Sequence, residues 1–138
     1  MNELKKVTNP KVSVSVGEVF DKITILQIKK DKIKDRNKLI NINKELNEIE
    51  TVVEEHKNDK EILSFIKTLK NINLKLWEIE DKIRAKESLK EFDEDFIQLA
   101  RSVYIVNDKR AEIKKEINLK TNSNLIEEKS YKKYYLNY

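Results

Sequence analysis

Cysteine is absent from this chain, and glycine, proline, histidine, tryptophan and methionine occur once each. Without cysteine there is no disulfide framework, no thiolate metal site and no thiol nucleophile, and a reducing, cytoplasmic setting is expected. Gly17 and Pro10 both precede the first long periodic segment, so 121 residues follow without either of the strongest structure breakers, and strand hairpins are not expected. The lone His56, with no E-x-x-H motif anywhere, argues against a ferritin-like diiron centre and against Ser-His-Asp catalysis. It is expected in an exposed loop. No stretch of 18 apolar residues and no apolar leader occurs, so neither a membrane span nor a secretory signal is expected. At 138 residues the chain fits one domain able to bury roughly two-thirds of its unfolded surface. That domain divides into a lead-in over 1–14, main helices over 15–120, and a C-terminal loop with a short helix or tail over 121–138.

Charged residues are plentiful: 29 basic against 25 acidic, a net charge of +4. Lysines and glutamates interleave along most of the chain, the pattern of solvated helical faces, so nucleic acid is not an expected partner. The ends are more basic, with Lys5, Lys6 and Lys11 at one and Lys129, Lys132 and Lys133 at the other. The latter alternate with Tyr131, Tyr134, Tyr135 and Tyr138, a mixture that can grip a single strand. The preferred reading is that these tyrosines pack a short final helix or ordered tail onto the bundle. Only four of the basic residues are arginine, and Arg84, Arg101 and Arg110 fall close together. In a chain whose usual cation is lysine, arginine marks positions where its planar fork matters.

The apolar residues recur at helical spacing, predicting an all-α, elongated antiparallel bundle of coiled-coil character with four main helices. Ser15 and Glu18 form an S-x-x-E capping box, and Val14 and Val19 a hydrophobic staple, at the start of the first helix. Its inward face reads Val16, Val19, Phe20, Ile23, Leu26 and Ile33. The stripe shifts phase near Asp35 to Lys38, where Asp35 or Asn37 caps a second helix carrying Leu39, Ile42, Leu46, Ile49 and Val53. After a loop at His56 to Asp59, a third helix presents Ile62, Phe65, Leu69, Ile72, Leu76, Ile79 and Ile83. Ser88 with Glu91, or else Asp93, caps a fourth helix whose inward residues are Phe96, Leu99, Ala100, Val103, Val106, Ile113 and Ile117.

A polar constellation accompanies this apolar frame. Trp77, Glu80, Asp81 and Arg84 share one face of the third helix. On the fourth, Arg101, Tyr104 and Asp108 form a stripe, while Asn107 and Arg110 sit nearer the seam, where a plain bundle would place Leu or Ile. Lys22 adds a cation from the first helix. Antiparallel pairing of helices three and four brings Arg84 and Arg101 toward the same end and Arg110 nearer Trp77. The arrangement reads either as salt bridges, with Glu80 and Arg84 a well-oriented i,i+4 pair, as a cleft for a small carboxylate or phosphate, or as anchors for a protein partner. Glu18 with Asp21 and Glu78 with Asp81 have an E-x-x-D spacing that can hold magnesium, but about one such pair arises by chance in this composition. No metal and no cofactor is expected.

The stretches SVGEVFDKITILQIKK (15–30), LWEIEDKIRAKE (76–87), FDEDFIQLARSVYIVNDKRAEIKKEIN (92–118) and EEKSY (127–131) together resemble a family of small bacterial and phage proteins known only as a domain of unknown function. The resemblance covers most of the chain and implies no activity. A fainter similarity is to the all-helical chorismate mutases, whose Arg and Lys side chains on long helices clamp a dicarboxylate. That similarity implies a clamp of Arg84, Arg101, Arg110 and Lys22, although the first helix lacks that pattern's early arginine and the helix order differs.

The leading reading is a noncatalytic helical bundle serving protein interaction or self-assembly. Long amphipathic helices with few residues per layer leave seams that another copy would cover, so a homodimer is expected. The alternative is a small-molecule binding protein, or an enzyme of chorismate-mutase type, using the arginines to hold an anionic ligand.

Overall fold

The computed structural model describes residues 8–136. The lead-in expected over 1–7, including Lys5 and Lys6, and Tyr138 lie outside them. Four helices form, α1 (Val16–Lys32), α2 (Arg36–Glu50), α3 (Lys60–Ser88) and α4 (Glu94–Lys120), with a 3-10 turn over Thr51–His56. The fold is all-α, with no strand among the described residues.

Every α-helix opens on a side-chain cap, each of a kind that contributes about 1 kcal/mol. Ser15 Oγ accepts from the Glu18 N–H at 3.2 Å, Asp35 from Lys38 at 3.1 Å, Asp59 from Glu61 and Ile62 at 3.0 and 3.2 Å, and Asp93 from Phe96 at 3.0 Å. Asp35 therefore caps α2, rather than Asn37. Asp93 caps α4, rather than Ser88, whose hydroxyl donates instead to the Ala85 carbonyl at 2.7 Å. The expected capping box at Ser15 is half formed: the Glu18 carboxylate turns away to Lys114. Val14 also stays about half exposed beside its supposed staple.

Two helices end in Schellman motifs, in which a left-handed residue lets the chain reverse and satisfies the last carbonyls. At α3 the Glu91 N–H reaches Lys86 O at 3.0 Å and the Lys90 N–H reaches Glu87 O at 3.1 Å, with Lys90 at φ 56°. At α4 the Ser123 N–H reaches Asn118 O at 2.8 Å around Asn122 at φ 53°. No further helix follows among the described residues: 125–136 form a tail without regular secondary structure, tied to α4 at Lys114 and Asp108.

Helix α1 packs against each of the other three. Antiparallel pairing of α3 with α4 places Glu61 beside Lys120 at 2.5 Å, and that of α1 with α2 places Lys22 beside Glu45 at 2.8 Å. The core lies at this end, around Phe20, Leu26, Ile62, Leu69 and Ile117. Val53, in the 3-10 turn, and His56 close it from below. His56 is half-buried, edge-on to Phe20 with ring centroids 6.1 Å apart, not in an exposed loop. Ile28 is a buried residue absent from the expected stripe, and Ala100 is exposed where burial was expected. At 29 residues α3 runs roughly 44 Å, well beyond the reach of the 17-residue α1. The far end of the α3–α4 hairpin is accordingly bare: no residue over 80–105 is buried.

Candidate functional site

The only glycine sets how closely α1 meets α4. A Cβ on Gly17 would sit 2.5 Å from Lys114 O and 2.9 Å from Asn118 Oδ1, so the two backbones touch where any side chain would part them. That approach lets side chains satisfy the free N–H groups at the α1 N-terminus. Asn118 Oδ1 accepts from the Gly17 N–H at 2.6 Å, and Ser123 Oγ accepts from Val16 at 3.1 Å.

One turn further along α1, Asp21 is buried at 1% exposure, and its charge is met in full. The Arg110 guanidinium embraces it through two N–H groups, Nε at 2.9 Å on one oxygen and Nη2 on the other. Asn73 Nδ2 donates to Asp21 and to Thr24 Oγ1, each at 2.9 Å, and the Thr24 hydroxyl donates to the Asp21 carbonyl at 2.7 Å. The hydrogen bond with Asp21 holds the Arg110 guanidinium above its ordinary pKa, against the opposing effect of burial. This network ties α1, α3 and α4 together at one level. A buried carboxylate of this kind is tolerable only because a bidentate partner and further donors surround it.

Beside it, between α4 and the tail, lies a groove of about 1020 Å³. Lys114, its side chain 12% exposed, bridges Glu18 at 2.7 Å and Glu127 at 3.1 Å. Burial pushes the Lys114 ammonium down, but the two carboxylates outweigh it and hold the pKa raised. Hydrogen bonds from Lys129 and Lys114 hold the Glu127 carboxyl down at about 2. Farther along, the Tyr134 hydroxyl donates to Asp108 and its ring stands edge-on to Tyr104, centroids 5.2 Å apart. That bond raises the Tyr134 phenol to about 12. The tail is thus fastened to α4 at two points, Glu127 and Tyr134.

The residues expected to form one constellation fall into separate places. Tyr104, Asn107, Asp108 and Arg110 line the tail groove. Trp77, Glu80, Asp81 and Arg84 line a cavity of about 340 Å³ on the other side of Arg110, between α3 and α1. Arg110 belongs to both and does lie near Trp77. Arg84 is exposed and only loosely paired with Glu80 at 3.6 Å. Arg101 is exposed, donating to Gln98 at 3.2 Å. It shares neither cavity, because it projects from the bare end of the hairpin. Lys22 points to α2 and Glu45. No clamp of these four cations around one ligand forms. Of the E-x-x-D pairs, Glu18 and Asp21 face Lys114 and Arg110.

Asn73, Thr24, Lys114, Asn118 and Glu127 were missed. A signal existed for Asn73, which stands four residues after Leu69 and three before Leu76, inside the apolar seam of α3. Like Asn107 and Arg110, it is a polar residue where a plain bundle would place Leu or Ile. Glu127 carried no local signal, since its role depends on where the tail folds back.

Among the described residues no helix is long and apolar enough to cross a membrane. A family model, described as a family of unknown function (DUF6165), matches residues 10–135. Comparison with curated proteins and with solved structures gives no match.

Proposed function

The chain belongs to this family of unknown function, and we propose that it is a noncatalytic helical module that associates with a second copy of itself through the bare end of its α3–α4 hairpin. The observation that carries this reading is the concentration of apolar surface there. Leu89, Phe92 and Ile97 are 66, 54 and 47% exposed within nine residues of chain. Of these, Leu89 lines a groove of about 560 Å³ together with Ala85 and Leu99. Clustered apolar exposure, unlike scattered single residues, marks an interaction surface.

The charges around the groove suit a two-fold partner. Lys82 and Lys86 stand on its α3 side, and Glu91 and Asp95 on the other. Lys86 already reaches Asp93 at 2.8 Å and Glu91 at 3.1 Å, whose hydrogen bonds raise its pKa. Lys82 makes no such bridge among the described residues. In an isologous pair the same patch meets itself, which lets Lys82 of one copy pair with the acidic side of the other. The area is small beside the roughly 800 Å² per partner of a stable complex, so association should be concentration-dependent in the micromolar range. The buried polar groups favour a noncatalytic role, since Asp21 and Arg110 bind each other and Lys114 is held by Glu18 and Glu127.

Leu89→Glu tests the reading. The side chain is mostly exposed, so helicity and melting temperature should hold while the dimer is lost. An unchanged dimer would remove the hairpin end from the interface.

A further inference from the structure

We infer that the cavity lined by Trp77 is a binding site for a small ammonium-bearing molecule with an apolar body. Asn73 is the pivotal observation. It is 95% buried by its 5% exposure, and its amide nitrogen faces the Asp21 carboxylate, which fixes that nitrogen as the donor. Both amide hydrogens are used, on Asp21 and on Thr24. The opposite atom, Oδ1, receives no donor from the described residues. Yet no fully buried side-chain polar atom among those residues lacks a partner. Oδ1 is therefore an acceptor left open on the wall of the cavity that Asn73 lines.

The rest of the cavity agrees in chemistry. Ile25, Ile28, Leu76 and the Trp77 indole supply apolar walls, and about 340 Å³ accommodates a body the size of a phenyl or branched alkyl group. Of the charges around it, Arg110 is neutralised by Asp21 and Arg84 is paired loosely with Glu80. Asp81 has no ion-pair partner among the described residues, so the rim is left one negative charge in excess. An open acceptor, an unpaired carboxylate and an indole face together attract an ammonium; an anion would meet Asp81 and Glu80. The ammonium could belong to a simple amine or to an apolar amino acid. In the second case Arg84 is free to take the carboxylate, because its exposed pair with Glu80 holds it weakly. The site lies on the opposite face of α3 from the hairpin groove, so it stands independently of self-association.

Trp77 is the only tryptophan in the chain, and its fluorescence reports on the cavity directly. The full chain would be titrated with phenethylamine, phenylalanine and 3-phenylpropionate, with calorimetry as a second readout. Saturable binding of phenethylamine or phenylalanine is expected, with 3-phenylpropionate weaker by about tenfold or more. Asp81→Asn, a change at an exposed position, should weaken the amine by a similar factor while leaving the melting temperature intact. Tighter binding of phenylalanine than of phenethylamine, lost in Arg84→Ala, assigns the site to amino acids; equal binding assigns it to amines. Absence of saturable binding by either, equal binding of 3-phenylpropionate, or full affinity in Asp81→Asn would overturn the inference.

Discussion

Replacing Arg110 with lysine keeps the positive charge and removes the fork, and the structure says what that should cost. Asp21 is 1% exposed and takes two of its hydrogen bonds from Arg110, through Nε and Nη2. A lysine at the same place can replace only one of these two bonds, so in a nearly water-free position either Oδ2 loses its donor or Oδ1 keeps Asn73 alone. An unmet hydrogen bond to a buried charged group costs about 1.5–3 kcal/mol, and truncating the partner altogether about 3–5 kcal/mol. Arg110→Lys should therefore destabilise by about 2 kcal/mol, and Arg110→Ala by more. In a chain of this length 1 kcal/mol corresponds to about 3–4 °C, so the lysine variant should melt roughly 7 °C low by circular dichroism. Arg84→Lys and Arg101→Lys, both exposed, should lie within about 1 °C of the parent. The pairing has a further signature: Asp21→Asn combined with Arg110→Leu should lose less than the two single changes added together, because each single change leaves its charged partner unpaired and the double change leaves no such charge. Equal melting of all three lysine variants, or strict additivity in the cycle, would refute the claim that Arg110 is the arginine whose geometry matters.

Gly17→Ala should destabilise by about 2 kcal/mol or more despite alanine's better helix propensity, because its Cβ would force Lys114 O away from α1; chemical denaturation measures this, and a stabilised variant would contradict the close approach. Lys90→Gly should stabilise by about 0.5–1 kcal/mol, since a lysine at φ 56° holds a left-handed conformation that glycine adopts without strain. The tail anchor at Tyr134 has a folded pKa of about 12, above the ordinary 10.0, so its stabilisation is complete below pH 10 and lost as pH rises toward 12. Absorbance at the tyrosinate band should show one late phase that Tyr134→Phe removes. At the other anchor Glu127 is lowered to about 2 from 4.5, so its contribution is present above pH 4.5 and fades as pH falls toward 2.

The helices were legible because their signals are local: caps at Ser15, Asp35 and Asp93 each act within three residues, and the seam from Ile62 to Ile83 repeats within a single helix. The end of the chain was less so. Nothing in Leu125–Leu136 distinguishes a short helix from a strap, and the outcome depends on Lys114 and Asp108, more than ten residues upstream, offering partners to Glu127 and Tyr134. The polar site was read by residue type and face, which correctly placed Arg110 at the seam and near Trp77. Helical phase alone could not show that Asp21 would be its partner, nor that Lys22, next to it, would point to α2. Arg101 failed as a member because α1 stops short of the hairpin end, a matter of relative helix lengths and not of any motif.

Self-association through the hairpin end is the claim on which the functional account rests, and the solution mass of the full chain tests it most directly. Sedimentation equilibrium from low to several hundred micromolar should show the 16.4 kDa chain passing to twice that mass, with Leu89→Glu remaining at the single-chain mass throughout. A single-chain mass for the parent at every concentration would contradict the account.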